Sequence, residues 1–142
     1  MTKQTICYFA GIVDGEGCMC ISKGSNTYNY RFLLSIMNTS ADLMTWLLKN
    51  IGGKVYTRKS YSDIWKTRYE WLMTPNTNTE ELLLAIKPYI VIKRLQLLNA
   101  MKFRSTFKDK HPKRNEMKKL LIEREQYYKV MKELNQKGKI KV

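Results

Sequence analysis

Apolar residues recur along the chain in two rhythms, and the switches between them lay out its elements. Residues 4–15 keep helical spacing, with Ile6, Phe9, Ala10 and Val13 on one stripe. Residues 17–23 and 28–37 change to period two and read as strands joined by a turn at Gly24, Ser25 and Asn26. In the second strand Tyr28, Tyr30, Phe32, Leu34 and Ile36 alternate with Asn29, Arg31, Leu33, Ser35 and Met37. The spacing predicts a helix from Ser40 to Ile51, capped by Thr39 or Ser40, with Leu43, Leu47 and Ile51 as its apolar stripe and Gly52 at its end. A second strand pair follows, Val55–Lys59 and Lys66–Thr74, in which Tyr69, Trp71 and Met73 face opposite to Lys66, Arg68 and Glu70.

Thr77 and Glu80 have capping-box spacing for a helix through Leu82, Leu83 and Ile86, which Pro88 breaks or kinks. A further helix is expected from Tyr89 to Phe103, then a basic linker over 104–114, then a last helix over 115–135. That helix carries Met117, Leu120, Leu121, Tyr128, Met131 and Leu134 on one side, and Lys137 onward reads as a frayed basic tail. The order is αββαββα with extra C-terminal helices. It predicts an α+β domain: one four-stranded antiparallel sheet backed by helices. A single domain over 1–142 is expected, with a core over about 4–103 and a helical extension over about 104–142.

Charge narrows the partner. The chain has 26 Lys and Arg against 12 Asp and Glu, a formal net charge of +14. An imbalance of this size points to a polyanion. No run of 18 apolar residues exists, which argues against a membrane. The start, Met-Thr-Lys-Gln, lacks a secretory apolar region, so an intracellular protein is expected. Cys7, Cys18 and Cys20 are odd in number and match no zinc spacing, so they read as free thiols. Nucleic-acid contacts are expected from Cys20, Lys23, Asn26, Leu33, Lys54 and Lys59 and from the sheet face opposite the apolar one, which carries Ser22, Asn29, Arg31, Ser35, Tyr56, Arg58, Lys66, Arg68 and Glu70. Its Arg, Lys, Asn, Ser and Tyr content suits phosphates and base edges better than plain solvation.

Two glycines in the first helix are out of place on propensity grounds. Gly11 and Gly15 lie four apart, and each disfavours a helix by about 1 kcal/mol relative to Ala. Small residues at that spacing let another backbone approach closely.

Residues 9–17, Phe-Ala-Gly-Ile-Val-Asp-Gly-Glu-Gly, resemble the nine-residue motif that names the LAGLIDADG family of homing endonucleases. Ala10, Gly11, Asp14 and Gly17 match it, Phe9, Ile12, Val13 and Gly15 are conservative replacements, and Glu16 stands for its second Asp. The element order extends the resemblance over about 4–103. It implies that motif helices pack together at the centre of a dimer, so that a single motif means a homodimer, with Phe9, Ala10, Gly11, Val13, Asp14 and Gly15 at the interface. It also implies that Glu16, with the main-chain carbonyl of Gly15, binds catalytic Mg²⁺, for which Mn²⁺ or another divalent ion substitutes. Lys93, after the Pro88–Tyr89 pair, matches a lysine of close relatives that stabilises charge or holds a nucleophilic water. Asn38 matches a polar position that holds active-site water, while a relative's arginine a few residues later has no clear counterpart near Asp42.

The function so implied is a site-specific, intron-encoded endonuclease that makes a double-strand break in a long palindromic or near-palindromic DNA. Arg31, Arg58 and Arg68 would read guanine, Asn29 adenine and Glu70 cytosine, with Lys23, Lys54, Lys59 and Lys66 on phosphates. The compartment stays open among bacterial or phage-infected cytoplasm, mitochondrion and chloroplast. One alternative is a maturase that helps intron RNA to splice, with Tyr28, Tyr56 and Tyr61 stacking on bases. A non-cleaving DNA-binding regulator on the same fold and a basic RNA-associated structural protein are the others.

Overall fold

The computed structural model describes residues 1–25, 28–59, 62, 64–74 and 78–136. Helix α1, Lys3–Glu16, starts at Thr2, whose hydroxyl accepts the Thr5 amide at 3.2 Å. Strands β1, Gly17–Lys23, and β2, Tyr30–Asn38, follow, then α2, Ala41–Asn50, capped by Ser40. Strands β3, Lys54–Arg58, and β4, Arg68–Leu72, precede α3, Thr79–Ile86, and a single 3-10 turn, Lys87–Tyr89. Helices α4, Arg94–Ser105, and α5, Arg114–Leu134, complete the chain's described elements. The four strands form one sheet in the order β1-β2-β4-β3. The α+β class and the αββαββα order are those predicted. Among the described residues, no helix is long and apolar enough to cross a membrane.

Several boundaries differ from the periodicity. β2 begins at Tyr30 rather than Tyr28, because the Gly24 amide donates to the Asn29 carbonyl at 2.8 Å and closes the hairpin there. Asn29 is thus a turn residue, and Tyr28 is 67% exposed instead of facing the core. Lys59 and Lys66 flank β3 and β4 instead of belonging to them. On α2 the buried stripe is Met44 and Leu47, with Leu43 and Ile51 half-buried. The helix expected from Tyr89 begins only at Arg94, because Ile90 is extended (φ −80°, ψ 126°) and interrupts the helical backbone. Thr77 lies outside the described residues, and α3 takes Asn78 as its N-cap. The tail from Lys137 also lies outside them.

The chain divides into two compact units, one of residues 1–18 and 34–92, the other of 19–33 and 93–142. The division falls at other points than the expected boundary near 103, since most of the β1–β2 hairpin groups with the C-terminal helices. In the first unit α1 packs on α3 and the 3-10 turn, and α2 packs on β3 and β4. Phe9, Ala10 and Val13 of α1 have no exposed surface, and neither have Leu34, Ile36, Leu47, Trp71 and Ile86. The Phe9 and Trp71 rings meet edge-on, 5.8 Å apart. In the second unit Met19, Ile21 and Tyr30 of the hairpin, Leu97, Ala100 and Phe103 of α4, and Met131 of α5 are buried. Arg124 is buried there too, which pulls its pKa down through desolvation. Its Nε donates to Thr106 Oγ1 at 2.9 Å, its Nη2 to the Thr106 carbonyl at 2.8 Å, and its guanidinium lies 3.7 Å from the Phe107 ring centre.

The turn from α2 into β3 is shaped around the largest core side chain. Trp71 donates its indole N–H to the Gly52 carbonyl at 2.7 Å. Gly53 sits at φ +90°, and a Cβ there would lie 2.6 Å from Trp71 Nε1 and 2.6 Å from the Leu72 carbonyl oxygen. Gly53→Ala should therefore lower stability by about 2 kcal/mol or more, read by urea denaturation. A loss under half that would mean the turn can relax.

Candidate active site and nucleic-acid interface

The motif falls on the last two turns of α1 and the first residue of β1, where the chain has to turn sharply. Gly17 takes the turn, with its amide on the Val13 carbonyl. A Cβ at Gly17 would come within 2.5 Å of that same oxygen, so no other residue fits without a shift. Glu16, just before it, is exposed. The final carbonyls of α1, that of Gly15 among them, have no partner within the helix and form the negative pole of its dipole.

Asp14 lies in the same last turn, the end of a helix where a carboxylate is least favoured. Its compensation is visible: its side chain accepts the Val91 amide at 2.8 Å and the Ile92 amide at 3.0 Å. The clasp turns the Val91 and Ile92 side chains outward, 78% and 76% exposed. Lys93, the next residue in sequence, is the N-cap of α4 rather than a residue of a helix already under way.

Of the six residues expected at a dimer interface, Phe9, Ala10 and Val13 are corrected by their burial. They have no surface left to meet a second chain, because they form this chain's own core. Gly11 and Gly15 are exposed, and a Cβ on either would meet nothing within 4 Å. Among the described residues nothing uses their small size. Tyr8, 55% exposed and edge-on to Trp46 at 4.7 Å, lies one turn before Gly11. Tyr8, Val91 and Ile92 are exposed bulky apolar side chains outside the buried stripe, which the periodicity did not single out.

Among the described residues, no group of three or more His, Cys, Asp or Glu side chains could hold a metal ion. At the end of α1 the chain offers the exposed Glu16 carboxylate with helix-end carbonyls. This set of hard oxygen donors fits Mg²⁺, which keeps several waters and takes one or two carboxylates. The remaining ligands would have to come from a second copy and from substrate phosphates. Asn38, half-buried at the end of β2, accepts the Ser40 amide on its Oδ1 at 2.9 Å and so shapes the entry to α2. Its NH₂ group is the part left for a water.

Register sorts the candidate interface. Tyr56 lies opposite Glu70, which lies opposite Met37; Lys54 lies opposite Leu72, which lies opposite Ser35; Arg58 lies opposite Arg68. These share one face, while Val55, Trp71 and Ile36 share the other. Tyr56 and Met37 are 45% and 43% exposed, an apolar pair of which only Tyr56 was anticipated as a contact. Arg58 Nε donates to Glu70 Oε2 at 2.7 Å, so the two are ion-paired with each other. Glu70 therefore orients Arg58, and the separate cytosine contact expected of it is revised. Within the hairpin unit, Cys20, Ser22 and Leu33 are half-buried and Arg31 is exposed, alternating with the buried Met19, Ile21 and Tyr30. Asn26 and Tyr61 lie outside the described residues.

Lys23 is also corrected as a phosphate contact. Its Nζ is 2.7 Å from Glu125 Oε2 on α5, and Tyr30 donates its hydroxyl to the same oxygen. The Lys23 hydrogen bond, then that of Tyr30, holds the Glu125 carboxyl below its ordinary 4.5. Glu125 raises the Lys23 ammonium in turn.

No family model and no curated protein matches the sequence. Solved structures do match. The homing endonuclease I-CvuI, in complex with its target in the presence of Ca, superposes with a TM-score of 0.72 at 20% identity, over 99% of this chain and 87% of that one. The chain has the LAGLIDADG homing-endonuclease fold. The archaeal intron-encoded homing endonuclease I-Vdi141I, complexed with DNA, gives a TM-score of 0.72 at 15% identity, over 98% of this chain and 89% of that one. The LAGLIDADG homing endonuclease I-SmaMI, bound to cleaved DNA, gives 0.63 at 16% identity over 95% of this chain but only 45% of that one. One copy of this LAGLIDADG fold thus fills about half of the I-SmaMI chain.

The Lys23–Tyr30–Glu125 cluster has a defined pH window. A depressed carboxyl pKa stabilises above the ordinary 4.5 and loses that contribution as pH falls through the folded value. Amides of the β1–β2 hairpin should keep their hydrogen-exchange protection from pH 7 to about 5 and lose it below about 4.5. Glu125→Gln should flatten that dependence, and an unchanged acid profile in the variant would show that the cluster does not set it.

Proposed function

We propose that the chain is a LAGLIDADG homing endonuclease which, as a homodimer, cuts both strands of a long palindromic or near-palindromic DNA with Mg²⁺. The observation that carries this is the end of α1: an exposed Glu16 beside two glycines whose missing side chains nothing among the described residues requires. Two copies that met along Gly11 and Gly15 would bring their Glu16 carboxylates together, because both residues lie within the helix's last turns. The clasped Val91 and Ile92 would add apolar area to that contact. The I-SmaMI match, in which one copy covers about half of a DNA-cutting chain, supports a two-unit enzyme.

Each residue then has a task. Glu16 and the Gly15 carbonyl hold the metal, for which Mn²⁺ or another divalent ion substitutes. When bound, that ion lowers the pKa of a water and offsets charge on the leaving oxygen. Lys93 offers an ammonium to the developing phosphate charge, and Asn38 orients water through its NH₂ group. Arg31, Arg68 and the Glu70-braced Arg58 read bases in the major groove, with Tyr56 and Met37 against thymine methyls. Asn29 stays the candidate for adenine, from the hairpin turn. Lys54, Lys59 and Lys66 meet phosphates, and Ser22 and Ser35 supply shorter polar contacts.

If the gene lies within an intron, the joined flanking exons form the substrate to test. Wild type with Mg²⁺ should give one double-strand break in it. Glu16→Gln should bind equally well and cut at least about 10³-fold more slowly. Tight binding with no cutting by the wild type, in Mg²⁺ or Mn²⁺, would turn the proposal toward a regulator or maturase.

A further inference from the structure

The chain's positive charge is concentrated away from the sheet. Residues 102–119 hold eight Lys and Arg against two acids, a net +6 of the chain's +14 in 18 of its 142 residues. Two cations once assigned to the sheet are neutralised within the chain, Lys23 by Glu125 and Arg58 by Glu70. In the basic segment the acids are used otherwise. Asp109 accepts the His111 amide at 2.9 Å, and Glu116 accepts the Lys113 amide at 3.1 Å. Both shape the backbone and leave the ammonium groups alone. Among the described residues Lys108, Lys110, Lys113, Arg114, Lys118 and Lys119 form no ion pair, and all six are exposed.

The loop that carries them is built to stay in place. Arg124 grips Thr106 through two hydrogen bonds, and Phe107 is held between that guanidinium and the Phe103 ring, 5.1 Å away. A buried arginine is a costly way to fix a loop. A face that only needs solvation intersperses both signs. Like charges held rigidly together, with their acids turned to the backbone, repel one another until an anion meets them.

We infer that the corner formed by the end of α4, the loop 106–113 and the start of α5 binds the phosphate backbone of duplex DNA, through residues outside the strands of the sheet. The identity of the polyanion rests on the endonuclease proposal; the affinity for phosphates does not. Phosphate contacts carry no sequence information. The corner therefore adds binding strength and salt dependence equally on target and non-target DNA.

The test is the salt dependence of binding to a random-sequence duplex, read by fluorescence anisotropy. Each phosphate contact adds about 0.9 to the slope of log K against log salt. The triple variant Lys108→Gln, Lys110→Gln, Lys113→Gln should lower the slope by about 2 to 3, with an unchanged melting temperature because all three are exposed. Lys3→Gln with Lys49→Gln, exposed cations elsewhere, should leave the slope nearly unaltered. The inference is overturned if the triple variant keeps the wild-type slope, or if the control loses as much per charge. A fall seen with duplex RNA and not with duplex DNA also overturns it. A wild type that never cuts DNA but shows the same fall upholds the surface and removes only the nuclease.

Discussion

Phe9, Ala10 and Val13 commit one side of helix α1 wholly to the core, and Gly11 and Gly15 leave its other side bare. Both conditions are met within fourteen residues, and the remaining placements follow from them. The helix must end where it does because Gly17 folds back onto Val13, so Glu16 emerges at the tip. Asp14, two residues earlier in the same last turn, would be a liability at a helix C-terminus without the two amides it accepts from Val91 and Ile92. A core stripe, an uncovered helix side and an exposed carboxylate at the tip are thereby fixed in one helix.

The distribution of charge obeys a similar economy. A net +14 invites every lysine and arginine to be counted as a contact for nucleic acid. Pairing inside the chain removes some of them from that pool. Lys23 ties the β1–β2 hairpin to α5 through Glu125, whereas Arg58, braced by Glu70 but still exposed, stays in it. Arg124 is spent on the Thr106–Phe107 corner. What stays available is a smaller set on β2, β3 and β4 and a denser one between α4 and α5. In the first, side chains of different chemistry stand in register; the second carries eight Lys and Arg against two acids.

Much of the fold was legible in the sequence because its signals are local. The period-two run from Tyr30 to Ile36 and the helical stripe of α1 each follow from alternation of burial, which a single strand or helix enforces on itself. Placement of Glu16 at the end of a helix was legible for the same reason. The rest depended on partners far along the chain. Phe9, Ala10 and Val13 look like any apolar stripe, and only the packing of α1 on α3 shows that they are used up within the chain. The Asp14 clasp joins residues 77 and 78 positions apart, and the Lys23–Glu125 pair joins residues 102 apart. α4 starts late because Ile90 is extended, and the β-branched run Ile90-Val91-Ile92, which disfavours helix, was the signal passed over.

The central claim is that the bare side of α1 exists to meet a second copy, and that cutting depends on this meeting. Gly11→Val tests it most directly, since a Cβ at Gly11 meets nothing within 4 Å among the described residues. Sedimentation equilibrium and DNA cleavage should be measured on the same preparation. The account predicts a folded chain of 16.8 kDa that no longer dimerises and no longer makes double-strand breaks, although Glu16 is intact. A variant that still dimerises and cuts like the wild type would contradict it.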